Sequence, residues 1–201
     1  MNTDNFVPLD YTTLSPETTY HRPTQTLPER VTARSPAIDV MTDFTQVTAI
    51  SMGPCATINA AEQRMIASNV RLLLVTEQSN KILGIITATD IQGDRPIKYI
   101  QKVGGKREEI FVQDIMTPAD QLDVLQMKMV EKVMVGDIVQ TMKKVGRQHA
   151  LVVDTDDEGN QTLRGIFSTK QISRQLGVEI DTAEIARTFA ELEEALFRSA
   201  S

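Results

Sequence analysis

The stretch Gly84 to Ile91 reads GIITATDI, and 81 positions later Gly165 to Ile172 reads GIFSTKQI. In both, an apolar run closes on a hydroxyl residue, Thr87 or Ser168, and a segment free of Gly and Pro follows. That is the pattern of a strand ending where a helix begins. The first strand is expected to end at Ile86 and its helix to start at Ala88, with Thr87 as the cap and Asp90 three residues on.

Outward from these two segments the chain repeats itself. DVMT (Asp39 to Thr42) matches DIMT (Asp114 to Thr117) at an offset of 75. At an offset of 77, Phe44, Ile58, Ala61, Met65 and Val75 fall on Gln121, Val135, Ile138, Met142 and Val152. The offset changes only in loops. Ile58, Ala61 and Met65, like Val135, Ile138 and Met142, recur at the spacing of one buried helix face. Asn69 and Gly146 follow these helices at equivalent positions, and both residue types accept the left-handed conformation that closes a helix. Strands are expected in VRLLLVTE (70–77) and HALVVD (149–154), then turns at Ser79-Asn80 and at Asp156 to Asn160, then strands in KILGIIT and TLRGIFS. Each copy thus reads strand, helix, strand, strand, helix. A period this long indicates one duplicated unit with a pseudo-two-fold axis, not a solenoid. The fold class is α/β (α+β).

Around this pair, residues 1–36 hold five of the eight prolines and read as an extended arm, either disordered or docked through Tyr11 and Tyr20. Residues 37–105 form the first repeat with its linker, in which GGKR (Gly104 to Arg107) is a flexible connection, and residues 106–178 form the second. Residues 179–201 are expected to form a helix whose Ile185, Phe189, Leu192 and Leu196 make one apolar stripe, suited to packing on the domain or to holding a second subunit.

Bulk properties narrow the function. Of 201 residues, 41% are hydrophobic and only 4% aromatic, so the core rests on aliphatic residues and nine Met. A net charge of -6 argues against nucleic acid, whose binding rests on a basic face. One cysteine, Cys55, precludes an internal disulfide and a cysteine-rich metal site. No apolar run approaches a membrane span, and Met1 to Glu17 lacks the basic and apolar regions of a secretory signal, so a cytoplasmic protein is expected. Two histidines, His21 and His149, and the absence of Ser-His-Asp, HExxH or CxxC patterns give an enzyme little to work with. GGKR lacks the earlier Gly and the following Ser or Thr of a phosphate loop. The acids Asp154, Asp156, Asp157 and Glu158 fit a solvated turn better than a metal cage.

Two readings compete for Thr87 and Asp90. In one they form a capping box and nothing more. In the other the helix start and the Thr87 hydroxyl donate to an anion while the Asp90 carboxylate accepts from a vicinal diol such as that of ribose.

Taken in order and twice over, DVMT and DIMTP, the helix patterns, HALVVD, GIITATDI and GIFSTKQI resemble the successive signatures of a tandem pair of CBS (cystathionine-β-synthase-type) domains, a Bateman module, over roughly Asp39 to Gly177. The resemblance implies a β-α-β-β-α unit per copy, nucleotide pockets in the cleft between copies, and a regulatory, non-catalytic module that senses AMP, ADP or ATP without a cofactor. It implies that Thr87 and Asp90 act with Leu122, Met127 and Gln148, His149 and Ala150, with Arg71 and His149 as candidates for phosphate charge. A second, weaker site would use Thr45, Ile50, Ser168, Lys170 and Gln171. There Ser168 and Gln171 keep the capping chemistry, but Gln offers no ionised acceptor. A homodimer and a downstream effector protein are the expected partners; a ligand-free dimerisation module of the same fold is the alternative.

Overall fold

The computed structural model describes residues 9–180. In chain order the elements are β1 (Thr42–Asp43), β2 (Ser51–Met52), α1 (Ile58–Ala67), β3 (Leu72–Thr76), β4 (Ile82–Thr87), α2 (Ala88–Gln92), α3 (Arg95–Val103), α4 (Val112–Ile115), β5 (Thr117–Pro118), β6 (Val124–Gln126), α5 (Met127–Val130), α6 (Val135–Lys144), β7 (His149–Thr155), β8 (Gln161–Ser168) and α7 (Thr169–Leu176). They form two four-stranded sheets, ordered β2-β3-β4-β5 and β1-β8-β7-β6. The residues expected on the inner faces of α1 and α6 are all buried. Both helices end as expected, with Asn69 and Gly146 at φ 52° and 63°. The mixed α+β class and the duplicated order of elements hold.

The first strand of each copy pairs with the other copy. β1 runs antiparallel to β8, Thr42 opposite Ile166, and β5 runs antiparallel to β4, Thr117 opposite Ile85. Just upstream the exchange repeats itself. The Ala37 N–H donates to the Val133 carbonyl (3.0 Å) and the Val135 N–H to that of Ser35 (2.9 Å). Their counterparts are Val112 to Ala56 (2.8 Å) and Ile58 to Ile110 (3.0 Å). Two cores result. One gathers Ile58, Met65, Leu73 and Ile86 with Ile110, Val112 and Ile115 from the second copy; the other gathers Val135, Met142, Val152 and Phe167 with Ala37, Val40 and Met41 from the first. The glycines that open the two quoted segments make this exchange possible. A Cβ at Gly84 would collide with the Thr117 carbonyl oxygen, and one at Gly165 would lie 2.5 Å from that of Thr42.

Three further features bear on the sequence reading. The linker holds an additional helix, α3, that ends at Gly104, so only its last few residues form a connection. Part of the arm is docked: Gln25 donates to the Met41 carbonyl (3.0 Å) and accepts from the Asp43 N–H (2.8 Å), covering the free edge of β1. Gln175 donates to the Pro28 carbonyl at 2.7 Å, while Tyr11 and Tyr20 are exposed, Arg22 lying over the Tyr20 ring at 4.7 Å. The expected C-terminal helix with Ile185, Phe189, Leu192 and Leu196 lies outside the described residues, apart from Ile180, which packs against the second core.

Candidate functional site

At the end of β4 the backbone turns into α2, a five-residue helix too short to sustain itself without its cap. The cap is complete. Asp90 Oδ2 accepts from the Thr87 N–H at 2.8 Å and from the Thr87 hydroxyl at 2.7 Å, and the hydroxyl oxygen accepts from the Asp90 N–H at 3.2 Å. The hydroxyl's only proton is therefore committed to Asp90. This corrects the expectation that the Thr87 hydroxyl donates to an anion, and the Ala88 N–H is also engaged, by the Arg71 carbonyl at 2.9 Å. What remains available is the Thr89 N–H and acceptor capacity on Asp90. Its Oδ1 meets Arg95 Nε at 3.1 Å, and Arg95 in turn donates to the Ile115 carbonyl (2.7 Å) and to Thr117 Oγ1 (3.1 Å).

His149 opens β7 in the other sheet and is half-buried. Strand alternation puts Ala150 and Val152 toward the second core and His149, Leu151 and Val153 on the opposite face. On that face His149 feels Arg71 and Asp90 of the first copy, so the two repeats meet here. Burial is the main influence on the ring and the Arg71 charge adds to it; Asp90 opposes them, and the pKa is lowered to about 4. The lowered pKa disfavours the charged ring, which makes the exposed Arg71 the better suited of the two to phosphate charge. Gln148 is exposed, and its carbonyl accepts from the Thr169 N–H (3.0 Å), as that of Arg71 does from Ala88. Leu122 ends a 3-10 turn that packs against β4. Met127 is buried in the second core.

The second motif departs from the first. Ser168 makes no side-chain cap, and Gln171 turns instead to β1, accepting from Thr42 Oγ1 at 3.2 Å and donating to the Val40 carbonyl at 3.3 Å. The expected capping box at Ser168 and Gln171 is therefore absent, because the longer Gln side chain reaches past its own helix start to the strand beside it. Thr45 is committed as well, its N–H and hydroxyl donating to Asp43 Oδ1 at 2.8 and 2.7 Å. Lys170 is exposed, and Ile50 packs against the first core.

Among known families, residues 37–93 match the CBS domain model. The first copy is a CBS domain. The second repeats its order of elements, so the fold is that of a tandem pair. A conserved protein from Pyrococcus horikoshii, 22% identical, superposes over 71% of this chain and 92% of its own with a TM-score of 0.50, which supports the fold. A CBS-domain containing protein from Agrobacterium tumefaciens is 21% identical over 63% of this chain and 87% of its own (TM-score 0.47). CBSX2, known from Arabidopsis thaliana and solved in complex with AMP, is 19% identical over 70% and 94% (TM-score 0.46). No curated protein matches the sequence.

Within this CBS pair the residue that sequence reasoning missed is Arg95. It lies five positions after Asp90 and beyond the Gly93 break between α2 and α3, so no helical spacing rule links the two. A weaker signal was present for the helix that carries it: Asp94 and Pro96 at the start, Ile97 and Ile100 at i and i+3, and Gly104 at the end.

Proposed function

We propose that this chain is a non-catalytic regulatory module that binds an adenine nucleotide, AMP or ATP, at one dominant site between its two CBS repeats. The observation that carries the proposal is the convergence of three different chemistries from both copies. Asp90 offers an ionised acceptor suited to ribose hydroxyls. The half-buried His149 ring offers a flat surface and an uncharged nitrogen suited to a base. Arg71 offers exposed positive charge to the phosphate in a protein of net charge -6. Each part of a nucleotide finds its complement. The second motif supports only a weaker site, since the polar groups of Gln171 and Thr45 are spent within the chain.

In this reading the protein acts in the cytoplasm as a homodimer, and the nucleotide signals to an effector protein by binding two states with different affinity. Calorimetric titration with AMP, ADP and ATP tests it. Binding to the wild type that is weakened about tenfold in Asp90→Asn is expected; no heat with any of the three at millimolar concentration sinks the proposal. One observation favours a second reading, a ligand-free protein-contact module: the Thr87 and Asp90 polar groups already satisfy one another as a capping box. The same titration separates the two.

A further inference from the structure

We infer that Arg95 is the residue that sets the site's response to a vicinal diol, by competing with it for Asp90; the inference rests on the assignment of Asp90 to the sugar. A carboxylate has about four acceptor positions, two on each oxygen. On Asp90, Oδ2 is filled by the N–H and hydroxyl of Thr87 at 2.8 and 2.7 Å. Oδ1 carries Arg95 Nε at 3.1 Å and has one position left. A nucleoside can place one hydroxyl on that position with Arg95 in situ. It can place two only by displacing the guanidinium.

The competitor is held ready. Arg95 Nη1 donates to the Ile115 carbonyl at 2.7 Å and both terminal nitrogens reach Thr117 Oγ1 at 3.1 Å, so the guanidinium stays beside Asp90 when it yields Oδ1. Its side chain is 41% exposed, against 12% for Asp90, so the exchange takes place within reach of solvent. The second repeat has no such device. There Gln171 binds Thr42, the counterpart of Thr117, directly, and position 176, the counterpart of Arg95, is Leu. The competition therefore belongs to the first motif.

The consequence is specific to the sugar. Removing Arg95 frees the second acceptor position, which benefits a ligand with two adjacent hydroxyls and not one with a single hydroxyl. Adenosine, AMP and 2′-deoxyadenosine are titrated by calorimetry into the full chain as wild type, Arg95→Met, Arg95→Lys and Asp90→Asn. In Arg95→Met, adenosine and AMP are expected to bind about tenfold more tightly, the worth of one hydrogen bond to an ionised group, while 2′-deoxyadenosine stays within about twofold. Arg95→Lys, which keeps the charge but lacks the fork that spans Asp90 and Thr117, is expected to fall between, and it carries the test should Arg95→Met fail to fold. Weaker AMP with unchanged adenosine overturns the inference, because Arg95 then serves the phosphate. Equal gains for adenosine and 2′-deoxyadenosine overturn it too, since a merely opened pocket favours both. Asp90→Asn keeps the two failures apart. If it binds adenosine as the wild type does, the sugar assignment itself is wrong; if it loses adenosine while Arg95→Met changes nothing, only the role of Arg95 is refuted.

Discussion

Asp43→Asn is expected to destabilise the fold by about 2–3 kcal/mol. Asp43 is 2% exposed and lies on the short strand that crosses from one copy to the other. Its Oδ1 accepts from Arg164 Nε at 2.9 Å and its Oδ2 from Arg164 Nη2 at 3.0 Å, a two-pronged pair reinforced by Thr45. Asn keeps the volume but turns an amide N–H toward the guanidinium. Breaking a buried ion pair from one side removes about 3–5 kcal/mol. Here Arg164 is about one-quarter exposed and keeps Asp154 at 3.2 Å, which places the loss toward the lower end. In urea, with a slope of about 2 kcal/mol/M, the midpoint falls by about 1–1.5 M.

The molecule contains its own control. At the pseudo-equivalent positions of the first half, Leu83 stands for Arg164 and Pro118 for Asp43, so the same strand crossing is made there by apolar contact. Replacing both partners by apolar groups is often neutral where removing one is not. The double variant Asp43→Val/Arg164→Leu is thus expected within about 1 kcal/mol of the wild type. A single-variant loss below about 0.5 kcal/mol, or a double variant worse than both singles together, refutes this account. Acid adds a signed check. Arg164 holds the Asp43 carboxyl far below its usual value of 3.8. The unfolded chain therefore takes up this proton first, and the pair's stabilisation, complete above about pH 5, is lost as pH falls through and below 4. Asp43→Asn lacks that loss, and the two stability curves converge in acid.

His149 gives a second pH window with the same sign: its folded pKa of about 4 lies below the usual 6.5, so stability falls between those values as the unfolded ring protonates first. The loss is about 3 kcal/mol at most, and a His149→Gln variant with an unchanged slope from pH 6.5 to 4 refutes the assignment. Gly165→Ala is expected to lower stability by about 2 kcal/mol or more because its Cβ meets the Thr42 carbonyl, whereas Gly53→Ala, with open space around it, shifts the melting temperature little. Gln25→Ala removes both hydrogen bonds to the β1 edge, and limited proteolysis between residues 25 and 36 is expected to accelerate while the core resists.

The order of elements was legible because its signals are local. Ile58, Ala61 and Met65 declare a helix face within eight residues, and Asn69 ends that helix by a backbone preference of its own. The strand exchange was not legible. Thr42 finds Ile166 through a contact that no periodicity encodes, and a repeat aligned with itself looks the same whether its first strand pairs at home or abroad. The candidate site divides along the same line. Thr87 and Asp90 lie three residues apart and announce their cap, but Arg164 and Arg95 resemble solvated charges until the fold brings Asp43, 121 positions away, and Thr117 against them. The lowered pKa of His149 likewise depends on burial and on Arg71 from the other copy.

The two halves differ in what holds their crossing strands, and this bears on how a ligand could be felt. In the second half β1 is fixed by the buried Asp43–Arg164 pair, by Gln171 on Thr42 and by Gln25 along its edge. None of these groups is bonded to Asp90, His149 or Arg71. In the first half the corresponding strand, β5, is tied by Arg95 on Thr117 and Ile115, and that same guanidinium rests on the carboxylate assigned to the ligand. A nucleotide that engages Asp90 thereby acts on a tie of β5, while β1 has no side chain in common with the site. An ion pair as exposed as that of Arg95 is worth about 1 kcal/mol or less, small enough for one hydrogen bond from a ligand to exchange for it. The buried pair in the other half is beyond that reach.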